Sequence, residues 1–467
     1  MADFPAHTKV AIIGAGPVGL TLALALARRD IPSVVIERKT ELDPHSRAIA
    51  MFPRTLEILR SLGQLEAILA AGERTSHLRL RRGSTRETLI DLDFNAYDGI
   101  TQRNYCLAIP QDRTERILLD AAQAEPRITV AMGCTFERFE AQADDVLLHL
   151  RHADGRDGVL RSYFLIGADG AHSAVREQLG WQLEGKTYAT RALLADVEVS
   201  EEADTAESWL AEPDRAVLLM SIRYAPRTWR LIEQGVPDNL ADADLANHAR
   251  DLTEALFGPD SWRRTIWTSV YRKHERLAPK FQAGRVVLAG DAAHLNSPAG
   301  GQGLNTGIRD AFNLAWKLDA ILARRGSREA LLQSYEVEQR DAFRNAVKPL
   351  TDVSEKIQTA PKWLRKFVFA HIGLGRSLGI MEGGSPAFHA VRRLWCFADP
   401  LRQGRSCRAA DARPRHAERP TPRPDRPLGD DPRACRNTCG AAGGGGGGRT
   451  RPAGRHPATV AGRAGVR

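Results

Sequence analysis

The sequence predicts an α/β fold: a parallel-sheet domain split by an inserted β-sheet domain and followed by a disordered tail. Three observations carry that prediction. At three places a short apolar run ends on glycine and gives way to a helical pattern, the mark of strand, turn and helix. Between 185 and 280 the pattern changes to short alternating runs, the mark of β-strands. From about Leu401 onward apolar residues nearly disappear.

The first element is Lys9-Val10-Ala11-Ile12-Ile13, followed by Gly14-Ala15-Gly16-Pro17-Val18-Gly19 and the apolar stretch Leu20–Ala27. A strand before and a helix after lift a GxGxxG match above coincidence. Gly14 permits the tight turn, Gly16 lets a pyrophosphate approach the backbone, and Gly19 lets helix and strand pack closely. The next strand, Ser33-Val34-Val35-Ile36, ends at Glu37, 23 positions after Gly14, with Arg38 beside it. That is about the offset at which a Rossmann-like unit places its ribose-binding carboxylate. An acid there favours an unphosphorylated adenosine ribose, as in NAD or FAD.

The rest of the chain separates those two. A nicotinamide-dependent dehydrogenase would continue with further strand–helix units. This chain instead enters Arg47-Ala48-Ile49-Ala50-Met51-Phe52-Pro53-Arg54-Thr55 and a helix predicted to end at Leu69. A second strand end, Phe164-Leu165-Ile166, leads into GADGAHSAVR, residues 167–176. A third, Val286-Val287-Leu288, leads into AGDAAHLNSPAGGQGLN, residues 289–305, and a helix. A strand this apolar is buried on both faces, so its C-terminal end opens into a crevice. Asp291 at that end is an acceptor suited to ligand hydroxyls, and Gly300, Gly301 and Gly303 let backbone N–H groups come close. His294 reads as a structural hydrogen-bonder.

In the inserted region, Ala192–Val199, Ala216–Ser221 and Thr228–Ile232 read as strands. The net charge of +9 misleads, because residues 401–467 hold fifteen Arg against five acids. That leaves 51 basic and 52 acidic residues in 1–400, so composition implies no basic face for nucleic acid. The six cysteines show no metal spacing, and no metal site is expected. No run reaches the ~18 apolar residues of a membrane span, and the N-terminus lacks a secretory leader. A cytoplasmic location is expected.

The tail, 401–467, has no Ile, Phe, Tyr, Trp, Met or Lys and cannot offset its ordering entropy. It is rich in Arg, Ala, Gly and Pro, residues whose codons can be built from G and C alone. Two readings stay open: a reading frame shifted near residues 396–410, or a genuine basic tail that meets polyanions nonspecifically. Resequencing across codons 390–420 separates them.

The three motifs, GAGPVG at 14–19, GADGAHSAVR at 167–176 and AGDAAHLNSPAGGQGLNTGIRDAFNLAWKL at 289–318, together resemble the class A FAD-dependent aromatic hydroxylases. The nearest likeness is to the phenol hydroxylase-like branch, including 3-(3-hydroxyphenyl)propionate hydroxylases and polyketide oxygenases. It covers about residues 7–350. The resemblance implies a glutathione-reductase-type FAD domain in two parts, 1–184 and 281–350, around a substrate sheet at 185–280, with a helical segment at 351–400 and the tail at 401–467.

By that resemblance Gly14, Gly16 and Gly19 hold the FAD pyrophosphate, Glu37 meets the adenosine ribose, and Arg38 is a further cofactor-binding residue. Arg47 and Gln111 lie along the phosphate and ribityl side. Asp169 sits between FAD and a transient NADPH or NADH site, with Arg176 stabilising its loop, and Asp291 binds a ribityl hydroxyl. Pro298 lines the space over the flavin, while Gly301, Gly303, Leu304 and Asn305 offer backbone to its pyrimidine edge. Met220, Trp229, Trp267, Tyr271 and Pro298 are the candidate substrate contacts.

The implied reaction takes O2 and an aromatic (phenolic) or polyketide substrate, and transfers one oxygen through a flavin C4a-hydroperoxide. The Arg47–Arg54 stretch departs from the family in offering neither acid nor tyrosine, so no catalytic base is assigned. A halogenase or reductase on the same fold, and an inactive product of a frameshifted gene, are the competing readings. The monooxygenase reading allows a homodimer, whereas the frameshifted product is expected to dimerise less well.

Overall fold

The three glycine-ended strands lie side by side. The computed structural model describes residues 4–44, 48–82, 88–97, 101–200, 208–212, 217–236, 240–296, 301–344, 360–361 and 363–364. In it the strand His7–Ile13 pairs in parallel with Ser33–Glu37 on one side and Asp157–Gly167 on the other. Asp157–Gly167 pairs in parallel with Val286–Leu288, and Ser33–Glu37 with Ile128–Met132. Ile13 stands opposite Gly167, and Gly167 opposite Leu288. All three motifs therefore leave the sheet at the same carboxyl edge, where open α/β sheets bind their ligands.

The helix Pro17–Ala27 is apolar almost all round because both sides are covered, by this sheet and by the helix Gln302–Leu322. The helix expected to reach Leu69 is two helices, Pro53–Ser61 and Leu65–Ala70, broken at Gly63, whose φ of +79° suits glycine.

The inserted sheet has eight strands: His294–Leu295, Trp262–Leu277, Glu184–Val199, Thr228–Val236, Val217–Ala225, Ser208–Glu212, His77–Arg82 and Thr88–Asp93, in that spatial order. The sequence placed this sheet within 185–280, and that boundary needs correcting. The antiparallel strands His77–Arg82 and Thr88–Asp93 join it through a parallel pairing of Ser208–Glu212 with His77–Arg82. Local periodicity does not reveal a partner strand so distant in sequence.

Alternation along these strands makes two faces. Leu193, Ala195, Val197, Trp229 and Leu231 pack under the helix Leu245–Phe257. Leu194 and Ile232 face the other way, toward the parallel-sheet domain. That inner face also carries a buried ion pair. Arg230 donates from Nε and Nη2 to the two oxygens of Asp196, both at 2.7 Å. The segment 351–400, apart from the four residues given above, and the tail 401–467 lie outside the described residues. No helix among the described residues is long and apolar enough to cross a membrane.

Candidate active site

The glycines of GAGPVG differ in what a side chain would meet. Gly14 has φ +107°, and a Cβ there would lie 2.4 Å from the Ala168 carbonyl oxygen. A Cβ on Gly19 would lie 2.0 Å from the Gly14 oxygen. A Cβ on Gly16 would meet nothing within 4 Å, because it would point into open space along the cavity. Two glycines are required by the fold itself, and the third leaves room for a ligand.

At the next strand end, both Glu37 oxygens accept backbone amides, from Ala15 at 2.9 Å and Lys39 at 3.0 Å. This fixes the carboxylate on the cavity wall with Arg38 beside it. Gln111, at the start of the helix Gln111–Ala124, accepts from the Ala48 amide at 3.2 Å and donates to Glu115 at 2.7 Å. Arg47 and Pro298 lie outside the described residues.

Glu115 had no role in the sequence reading, though an acid one turn after Gln111 on an amphipathic helix was a usable signal. Burial pushes its pKa up, against the hydrogen bond from Gln111. The fold thus holds its proton more tightly than the unfolded chain does, and loses stability as pH rises through the raised pKa. Glu115→Gln keeps an oxygen for Gln111 and removes the charge. The variant is expected to melt above the parent at alkaline pH, with the difference vanishing well below the carboxylate range. A lower melting temperature at alkaline pH would contradict this account.

The second and third motifs are tied together by Arg176. Its guanidinium is buried and donates to the Ala171 oxygen at 2.9 Å and the Ala292 oxygen at 3.2 Å. Asp169 accepts from the Val175 amide at 3.3 Å through Oδ2, while Oδ1 is buried without a hydrogen-bond partner. Burial pushes its pKa up, and hydrogen bonds from Ser173 and the backbone oppose that.

Behind the third motif, Asp310 Oδ2 accepts from the Gly290 amide at 3.0 Å and contacts His294 Nε2 at 2.6 Å. Burial alone would push the His294 pKa down, but the Asp310 carboxylate holds it above the usual value. His294 is thus committed to the loop's support, and Asp310 is a supporting residue that the sequence reading passed over. Its signal was an acid on the buried face of a helix. Gly290 has φ +61°, and a Cβ on it would lie 2.8 Å from Val18 of GAGPVG. First and third motifs are in contact.

Gly301, with φ +64°, starts the helix Gln302–Leu322 without any side-chain cap. Its first N–H groups, near Gly303 and Leu304 on the cavity wall, carry the positive end of the helix dipole. The Asn305 amide is consumed by the protein. It accepts from the Phe52 amide at 3.0 Å and Thr55 Oγ1 at 2.6 Å, and donates to the Ala50 and Gly301 oxygens, each at 2.8 Å.

These walls enclose a cavity of about 810 Å³ that runs from Gly14 and Glu37 past Asp169 and Asp291 to the inner face of the inserted sheet. The open space at Gly16 and the uncapped helix start suit FAD, whose pyrophosphate and flavin need close backbone approach and N–H donors.

The sequence profile of the FAD binding domain family matches residues 7–349. This chain is a class A flavoprotein of that family. It is 37% identical over 343 residues to 6-methylpretetramide 4-monooxygenase of Streptomyces rimosus, covering 72% of this chain and 59% of that one. It is 32% identical over 337 residues to 3-(3-hydroxy-phenyl)propionate/3-hydroxycinnamic acid hydroxylase of Escherichia coli, covering 71% and 59%. The alignments thus span less than two thirds of either relative. The structure also resembles aklavinone-11 hydroxylase, solved as a ternary complex with FAD and aklavinone. The TM-score is 0.65 at 28% identity, covering 74% of this chain and 68% of that one.

At the inserted-sheet end of the cavity in this flavoprotein, Tyr271 lines the wall with Leu194, Ile222, Ile232 and Ser269. Burial pushes the Tyr271 pKa up, so the phenol stays protonated and can donate. Two expected contacts are corrected. Trp229 points to the outer face, where it is 2% exposed and packs on Phe257 with ring centroids 4.9 Å apart. One strand position decides the face, and its neighbour Arg230 points inward. Trp267 lies beneath the Arg230 guanidinium, 5.6 Å from its ring centroid, and does not line the cavity. Met220 stands opposite Ile232 in register.

Proposed function

We propose that this chain is the FAD-binding part of a monooxygenase that inserts one atom of O2 into a phenolic ring or aromatic polyketide, with NADPH or NADH as reductant. The observation that carries the reading is the continuity of the cavity. Its polar end, at Gly16, Glu37, Asp169 and Asp291, suits a dinucleotide, and its other end, at Leu194, Ile222, Ile232 and Tyr271, suits an aromatic ring. FAD, when bound and reduced, supplies the chemistry that activates O2. The chain's residues do the rest. Glu37 and Asp291 accept from sugar and ribityl hydroxyls, and the helix start at Gly301–Leu304 favours negative charge on the pyrimidine edge. The apolar sheet face excludes water, and Tyr271 donates a hydrogen bond to a substrate oxygen.

Absorption spectroscopy of the purified chain, followed by NADPH and NADH consumption in air with phenols and hydroxylated polycyclic aromatics, tests the reading. Flavin bands with oxidation stimulated by one of these compounds support it. Bound flavin whose oxidation no aromatic compound accelerates would count against the substrate class.

Asp291→Ala removes a carboxylate from the cavity wall. FAD binding is expected to weaken by about 1–3 kcal/mol, the cost of one lost hydrogen bond to a charged group. Equilibrium dialysis reads the change directly, and an unaltered dissociation constant would remove Asp291 from the cofactor site.

A further inference from the structure

We propose that Asn296 is a specificity-determining residue whose side-chain amide pairs with an oxygen substituent of the aromatic substrate. The proposal deepens the monooxygenase reading above and rests on it. Asn296 follows His294–Leu295, the short edge strand that pairs with Leu277 and Arg276 of the inserted sheet. It stands where the loop from the FAD domain meets the substrate sheet, and it lines the same cavity as Leu295, Ser269 and Tyr271. Both of its amide atoms, Oδ1 and Nδ2, are out of solvent and have no hydrogen-bond partner.

Buried polar groups are almost always paired, and an unpaired amide weakens the ligand-free fold. The contrast with Asn305 is instructive. Nine positions on, the same side chain is fully used in joining the helix start to Ala50, Phe52 and Thr55. The Asn296 amide has no such employment in the protein. The groups assigned above to the cofactor stand on either side of it, Asp291 before and the helix start at Gly301–Leu304 after. A carboxamide offers a donor and an acceptor without charge, which matches a phenol hydroxyl or a neighbouring hydroxyl and carbonyl on one ring. In a largely apolar wall such a group discriminates strongly, because an analogue lacking the oxygen leaves it unpaired.

Asn296→Leu in the FAD-loaded full chain tests this, with 3-(3-hydroxyphenyl)propionate and 1,8-dihydroxyanthraquinone as probes. Flavin content, substrate-free melting temperature, probe dissociation constant and probe-stimulated NADPH or NADH oxidation are measured on parent and variant. The variant is expected to retain FAD and to melt no lower than the parent. The dissociation constant of the probe that the parent binds should rise roughly 10- to 30-fold. Loss of FAD would make Asn296 a cofactor contact, and a lower melting temperature would make it a structural one. Either result, or an unchanged probe affinity, overturns the proposal. A parent that responds to neither probe overturns the substrate assignment of both this residue and the cavity, and is recognised because the failure appears without any mutation.

Discussion

Gly16→Thr is expected to weaken FAD binding by roughly 100-fold, about 2.8 kcal/mol, while the flavin-free protein melts where the parent does. Gly16 has φ −75° and ψ 178°, a conformation open to any residue, and it occupies the N-cap of the helix Pro17–Ala27. Threonine is a competent N-cap, so the helix keeps its start. The added atoms enter space that no protein atom approaches within 4 Å of the new Cβ. Only the ligand feels them. Gly19→Thr is the control, since its Cβ would collide with the Gly14 oxygen at 2.0 Å and should prevent folding. Flavin absorbance after gel filtration and thermal melting of the flavin-free proteins separate the two. Full flavin retention by Gly16→Thr would remove the pyrophosphate from this turn.

Asn305→Leu is expected to destabilise the chain by about 3–5 kcal/mol and to release bound FAD. The residue is 3% exposed, and its amide makes four hydrogen bonds to groups of two separate segments. Leucine fills the volume and satisfies none of them. The buried Phe52 amide would remain unpaired, and the part-buried carbonyls of Ala50 and Gly301 would have to find water. The helix start that faces the cavity would then no longer be fixed to the Ala50–Thr55 segment. Asn305→Asp sharpens the test. One oxygen still accepts from Phe52 and Thr55, but the other faces the carbonyls of Ala50 and Gly301, so stability should fall there too. Melting curves with and without FAD read both effects, and a leucine variant as stable as the parent would dismiss the clamp.

Much of this protein was legible before folding was considered. The GAGPVG, GADG and AGDA segments each follow an apolar strand, and steric rules tie their glycines to tight turns and close backbone approach. Those rules act over a few residues, so Gly14, Gly19, the strand ends and the carboxylates at 37, 169 and 291 could be placed from local pattern. The inserted sheet was visible as a change of period near 185. Its face assignment was not, because Trp229 and Arg230 are neighbours and only the position of the helix Leu245–Phe257 decides which of them is buried in the outer core.

Local pattern was equally silent about partners distant in the chain. That His77–Arg82 and Thr88–Asp93 complete the inserted sheet, that Val18 approaches Gly290, and that Asn305 holds Phe52 and Thr55 from 253 and 250 residues away are facts of packing between distant segments. The sequence by itself determined the turns, because they follow from backbone sterics within a short stretch, and the charges and chemical types after each strand end, because those are set by residue identity alone. Only the tertiary structure decided which amides are satisfied and which are left over, because a hydrogen bond's partner is chosen by how distant segments pack.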